Sequence, residues 1–385
     1  MNTQSTLPTA RDKLLFTPGP LTTSLSVKQA MLRDAGSWHF EFNAQVARIR
    51  EQLLHVAGLP LGEEWVSVLM QGSGSFGVET ALTSSVPDNG GLLVLTNGAY
   101  GDRIVQMAVA ARVPHEVLRF QEHEAVDPAA VDAALAKRPD LTHVALVHCE
   151  TTTGLLNPLP AIGRVVRERQ RVFIVDAMSS FGALPIDFEA VGIDFLISSA
   201  NKCLEGVPGF SFVICRRERL RECEGRARSH SLDLFGQWRG FEKNGQFRFT
   251  PPTHALLAFV QALEEFEEEG GVAARGARYA ANAKTLMDGM QALGFRPFLP
   301  SQLRSPIITT FHQPADRRFA FDAFYRGLSD RGFIIYPGKL TAVDTFRVGS
   351  IGRVFPNDLE QLVHAADRTL RDLGLPVPLP AETAG

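Results

Sequence analysis

Apolar residues gather in short, nearly unbroken runs at 66–70, 92–96, 143–148, 172–175, 195–198 and 210–215. Runs of that length predict strands buried on both faces, as in a mainly parallel sheet covered by helices. Between them, segments 43–56 and 160–169 place apolar residues at helical spacing with polar residues elsewhere, which predicts amphipathic helices. The pattern changes after Pro251-Pro252. Helices are predicted over 254–268, closing at Gly270-Gly271, and over 278–293. Strands follow at 306–311, 332–336 and 345–348, with helices at 319–329 and 358–373. An α/β domain followed by a smaller α+β layer is the expected architecture. We place the large domain at 14–255, with 14–25 free to pack on the second domain, the small one at 256–375, and frayed tails at 1–12 and 376–385.

Composition adds bounds to this picture. The 385 residues exceed what a single core usually holds, so two lobes with a cleft between them are expected. With 45% hydrophobic and 21% charged residues and a net charge of -3, the chain has the balance of a soluble protein and no electrostatic sign of a nucleic-acid partner. Cys149, Cys203, Cys215 and Cys223 have neither zinc-ligand spacing nor the density of a disulfide scaffold, and read as reduced thiols of a cytoplasmic protein. Nothing resembles a signal peptide, and no apolar run approaches the ~20 residues that span a bilayer. No metal site and no membrane partner are expected. The arginine cluster at 216–228 and the acid run at 264–269 read as solvated faces.

Three features carry chemistry. Gln71-Gly72-Ser73-Gly74-Ser75-Phe76-Gly77-Val78-Glu79 follows a strand and leads into a helix. Its glycines, serine hydroxyls and free N–H groups suit a phosphate, although a tight turn would need the same glycines. The spacing also fits G-x-G-x-x-G, but no ribose-binding acid closes a βαβ unit ~20 residues later. The second feature is Asp176, at the end of the apolar run Phe173-Ile174-Val175. A carboxylate there points into the ligand crevice of an open α/β sheet and suits a protonated pyridine nitrogen; helix capping is the commoner use of such a residue. Third, Ser198-Ser199-Ala200-Asn201-Lys202 leaves a buried-type strand and runs into Gly206-Val207-Pro208-Gly209. A desolvated lysine has a lowered pKa and a nucleophilic amine, whereas most lysines are simply solvated. Lys202 lies one strand-helix-strand step beyond Asp176 on the same sheet, which favours the chemical reading.

At these residues the chain resembles the fold type I pyridoxal-phosphate enzymes, and among them the class V aminotransferases. The likeness runs from Phe16-Thr17-Pro18-Gly19-Pro20 to Thr345-Phe346-Arg347-Val348-Gly349. It is sharpest at His148-Cys149-Glu150-Thr151-Thr152-Thr153-Gly154, Val175-Asp176-Ala177-Met178, Asn201-Lys202-Cys203-Leu204-Glu205 and Thr250-Pro251-Pro252. It implies a large domain built on a mainly parallel seven-stranded sheet, a smaller α+β domain, and pyridoxal 5'-phosphate as cofactor. Lys202 would hold that cofactor and Asp176 its ring nitrogen. Ser73, Gly74 and Ser75 would bind its phosphate, with help from Ser199 and Asn201. Tyr100 would stack on the ring, and Thr151 or Thr152 would contact its phenolic oxygen. Thr250 would reach the phosphate of a neighbouring subunit, implying a homodimer with shared active sites. Arg347 would bind the acidic end of the substrate through its planar fork.

Within the class, the branch most similar to this chain moves an amino group from 2-aminoethylphosphonate to pyruvate. Alanine:glyoxylate or serine:pyruvate exchange is the nearest competing activity, and a lyase on the same cofactor the next. A nucleotide-dependent oxidoreductase would use the glycine loop but leave Lys202 without a task.

Overall fold

The apolar runs become strands of one seven-stranded sheet in the computed structural model, which describes residues 12–340 and 343–380. In chain order these strands are Trp65–Gln71 (β1), Gly91–Thr96 (β2), His115–Arg119 (β3), Leu141–Val147 (β4), Val172–Asp176 (β5), Phe195–Ser199 (β6) and Phe210–Arg216 (β7). Across the sheet the order is β1-β7-β6-β5-β4-β2-β3. Only β7 runs against its neighbours; the pairings from β6 through β5, β4 and β2 to β3 are parallel. Such a sheet is buried on both sides, which explains why β2 and most of β4, β5 and β6 consist of apolar residues in succession. The sequence pattern misses β3. It is an edge strand, half-buried and polar at His115, Glu116 and Arg119, so no apolar run marks it.

Helix Gly74–Ser85 packs on β6 and β7, helix Ala99–Ala110 on β2, and helix Phe40–Val56 on β1. Helix Thr253–Glu269 adds Leu256, Phe259, Leu263 and Phe266 to this same core. Beyond the left-handed pair Gly270-Gly271 the chain leaves the first core, on which Val272 still packs, and enters the second at Leu286. We propose that residue 270 is the better boundary between the domains.

The second core gathers Leu286 and Met290 of helix Gly271–Ala292, Phe324 and Leu328 of helix Phe321–Asp330, and Leu359, Leu362 and Leu370 of helix Pro356–Asp372. These helices cover an antiparallel sheet of Ile308–His312 (β8), Tyr336–Pro337 (β9) and Thr345–Gly349 (β10), in the order β8-β10-β9. The predicted strand at 332–336 is two pieces: Tyr336 pairs with β10, whereas Phe333–Ile334 pairs in parallel with Leu14–Leu15. Phe16 follows that N-terminal strand into the second core. Residues 376–380, read as a frayed tail, are in fact held. Leu379 is buried and its N–H donates to the Leu293 carbonyl at 2.8 Å. Residues 1–11 and 381–385 of the expected tails lie outside the described residues. No helix among the described residues is long and apolar enough to cross a membrane.

Candidate active site

Because β1 and β6 both oppose β7, the carboxyl ends of β1, β2, β5 and β6 share one edge of the sheet. Open α/β sheets bind ligands at that edge. The segments leaving it bring Ser73, Gly74, Ser75, Tyr100, Asp176, Ser199, Asn201 and Lys202 into the lining of one cleft of about 190 Å³. Residues separated by as much as 129 positions in the sequence are thus assembled by four strand ends.

At one end of the cleft, Ser73 begins helix Gly74–Ser85 without making a side-chain capping bond. First-turn N–H groups and two serine hydroxyls are the donor set an anion needs. A Cβ at position 74 would sit 2.3 Å from the Met178 sulfur, so any larger residue here would have to push the Met178 side chain aside. Arg103 adds a cation here, donating through Nη1 to the Ser75 hydroxyl at 3.1 Å. These residues fit a phosphorylated ligand.

Asp176 ends β5 and is 7% exposed. Its Oδ1 accepts the Met178 N–H at 2.9 Å, and burial, opposed by that bond, pushes its carboxyl up to about 6. Such a carboxyl discharges its desolvation cost best by facing a cation, which a protonated ring nitrogen provides. Lys202 follows β6 by three residues and donates from Nζ to the Pro18 carbonyl. Burial holds its amine below the ordinary lysine value, although Tyr100, Cys203 and Asp176 pull the other way. Gly19 closes over it at φ +119°, so near that a Cβ would lie 2.8 Å from Nζ. The N-terminal Pro18-Gly19 turn is therefore a wall of the site.

Tyr100 opens helix Ala99–Ala110. The Arg103 guanidinium carbon stands 4.8 Å from its ring centroid and the Lys339 amine 5.1 Å. Burial would raise the phenol, but Lys202, Lys339, a hydrogen bond with Thr151 and Arg347 together hold it below its ordinary value. Arg347, on β10, is 1% exposed and does not line the cleft itself. Its Nε donates to Pro337 O and its Nη1 to Thr151 O, both at 3.0 Å, and the Tyr100 phenol is its hydrogen-bonding neighbour. The two threonines differ. The Thr152 hydroxyl is engaged by Glu150 and by the Ala99 N–H, whereas the Thr151 side chain meets Tyr100. Thr250 is exposed and outside the cleft; its carbonyl accepts from Gln71 Nε2 at 3.2 Å.

Sequence reading assigned nothing to Glu150, Arg103 or Lys339. Glu150 is fully buried, and its carboxylate accepts from Tyr100 N, Gly101 N, Thr152 N and the Thr152 hydroxyl. It fixes the turn that presents Tyr100. An acid between a buried strand and a threonine-rich turn was the signal that could have found it.

A cleft at the strand ends of a mainly parallel sheet, with a desolvated lysine between an anion cradle and a buried acid, defines a class of enzymes that carry out amine chemistry on a phosphorylated cofactor. The family model for aminotransferase class-V matches residues 25–339, and the chain belongs to that family. It is 53% identical to a 2-aminoethylphosphonate–pyruvate transaminase of Syntrophobacter fumaroxidans, over 94% of this chain and 97% of that protein. A protein of the same name from Salmonella schwarzengrund is 50% identical over 93% and 97%. Among solved structures, alanine–glyoxylate aminotransferase from Nostoc sp. superposes with a TM-score of 0.86 at 26% identity, covering 96% of this chain and 98% of that one. Pyridoxamine-pyruvate aminotransferase from Mesorhizobium loti shares the fold, with a TM-score of 0.86 at 23% identity over 96% and 95%.

Proposed function

We propose that this aminotransferase uses pyridoxal 5'-phosphate, held by Lys202, to move the amino group of 2-aminoethylphosphonate to pyruvate, giving phosphonoacetaldehyde and L-alanine. The observation that carries the reading is the placement of the Lys202 amine in one cleft with Asp176 and Ser73-Gly74-Ser75. The near full-length identity to the two transaminases supports the substrate pair. When bound, the cofactor supplies an aldehyde that takes up the amino group and a ring that draws electrons from the reacting carbon.

The chain's own residues do the rest. The first turn of helix Gly74–Ser85 receives the phosphate, with Ser199 and Asn201 beside it. Asp176 holds a proton at the ring nitrogen. Tyr100 supports the ring, and Thr151, the threonine nearer Tyr100, takes the phenolic oxygen. Lys202, besides holding the cofactor, would supply a base at the substrate carbon. It moves a proton from that carbon, helped by the low pKa that burial imposes. Arg347 grips the acidic end of each substrate in turn, its orientation fixed by Pro337 and Thr151 carbonyls.

A homodimer completes the site in this reading. Thr250 is exposed, outside the lining of its own cleft, and would serve the partner's phosphate. Leu25, Leu32, Trp38 and Phe40 are large apolar side chains left exposed, in keeping with a covered surface in the assembly. A cytoplasmic setting is supported by the four cysteines, all unpaired and buried.

The test is a screen of amine donors against pyruvate with the cofactor-loaded enzyme. Phosphonoacetaldehyde formed together with alanine is the expected outcome. The Nostoc structure makes alanine–glyoxylate exchange the reading to beat. Turnover of alanine with glyoxylate, and none of 2-aminoethylphosphonate, would replace our reading with that one.

A further inference from the structure

The substrate pair poses a recognition problem that Arg347 does not solve alone. A guanidinium fork meets two oxygens in a plane, which satisfies a carboxylate completely. A phosphonate has a third oxygen and, when doubly ionised, a second negative charge. Selecting it over a carboxylate needs another cation on the far side of the group.

Lys339 is placed for that task. Tyr336 of β9 pairs with Arg347 of β10, and Arg347 Nε holds the carbonyl of the next residue, Pro337. Gly338 N donates to Thr345 O at 3.0 Å, which turns the chain so that Lys339 comes over the Tyr100 ring. The two cations are thereby fixed to one short antiparallel pair, and both act on the Tyr100 phenol. Among the described residues no carboxylate pairs with the Lys339 amine, and Lys339 is an exposed residue beside Tyr100, which lines the cleft. Its companion Arg103 is already engaged with Ser75, on the phosphate side.

We propose that Lys339 is the residue that selects the phosphonate, binding the third oxygen and second charge that Arg347 leaves free, and standing aside when a carboxylate occupies the site. The proposal rests on the reading that both kinds of substrate use the Arg347 end of the cleft. A lysine suits the role because its compact charge sits on a flexible stem with three rotatable donors, so that it can advance for one substrate and withdraw for the other.

The test compares wild type, Lys339→Met and Lys339→Arg as cofactor-loaded enzymes. Losing one charge-assisted hydrogen bond to an anion should raise the KM for 2-aminoethylphosphonate about tenfold in Lys339→Met. The rise for L-alanine in the opposite direction should be several times smaller, and Lys339→Arg should restore most of the phosphonate affinity. In wild type the preference for phosphonate should grow as pH rises through the second phosphonate ionisation, and Lys339→Met should flatten that profile. Calorimetric binding of ethylphosphonate and propionate, which carry no amine, reads the same contrast without turnover. Equal losses for both anions, or no loss for ethylphosphonate, would overturn the proposal. Failure of wild type to convert 2-aminoethylphosphonate would instead count against the function proposed above, while ethylphosphonate binding would still decide the part played by Lys339.

Discussion

Two clusters of charge adjoin Lys202, and they are built on opposite principles. Behind it, Glu205 and Glu269 meet Arg275 and Arg278: Arg278 reaches both acids at 2.7 Å, Arg275 reaches Glu269 at 2.9 Å, and the Tyr279 hydroxyl donates to Glu205 at 2.6 Å. Arg275 also donates to the Cys203 carbonyl. Each acid there has an arginine within 2.9 Å, and the half-exposed Arg353 lies 3.8 Å from Glu269, so every buried charge is paired within the chain and the cluster fixes the turn that carries the lysine. In front, Lys202, Arg103, Lys339 and Arg347 surround Tyr100, whereas Glu150 is occupied by hydrogen bonds and Asp176, at the end of β5, accepts the Met178 N–H. Charge balanced within the chain holds a fold together; charge left in excess marks where anions arrive. A phosphate at one end and a phosphonate or carboxylate at the other would neutralise the front cluster.

The sharpest way to break this contrast is to remove the cleft's central cation. Lys202→Ala should lower transamination by at least about 10⁴-fold, because the cofactor's anchor and the proton-moving base are lost together. Steady-state turnover of 2-aminoethylphosphonate with pyruvate measures it, and near-normal turnover would overturn the assignment. The rear cluster should answer in stability. Glu205→Ala leaves Arg278 and Arg275 short of a buried partner and should cost on the order of 3–5 kcal/mol, read by urea unfolding. Loss below ~1 kcal/mol would mean that the cluster is solvated in solution.

A smaller effect separates the two clusters by pH. Asp176 has a folded-state pKa raised by burial to about 6, above the ordinary carboxylate value. Its contribution to stability is therefore fully present below the unfolded pKa and is lost as pH rises through about 6. Without cofactor, Asp176→Asn should thus gain on wild type by on the order of 1–3 kcal/mol between about pH 4 and pH 8. A pH-independent difference between the two proteins would contradict the burial argument.

Much of this was legible in the chain. Strands buried on both faces write themselves as apolar runs, and six of the seven large-sheet strands are found that way. The edge strand His115–Arg119 is not, because a half-solvated strand keeps its polar residues. Helix Thr253–Glu269 shows its apolar stripe in the sequence, but a stripe tells only that a face is buried and not in which core. The same limit governs the site. Lys202, Asp176 and the glycine loop announce themselves through local context, a polar residue where a strand stops. Arg103 and Lys339 have ordinary contexts and acquire meaning only through Tyr100, which comes to them from another part of the chain.

The anchor at Lys202 is tested most directly by borohydride reduction of the enzyme loaded with pyridoxal phosphate, followed by proteolysis and mass spectrometry of the peptides. The account predicts one coenzyme fixed per chain, on the peptide carrying residue 202. A label on any other lysine, or no label at all, would contradict it.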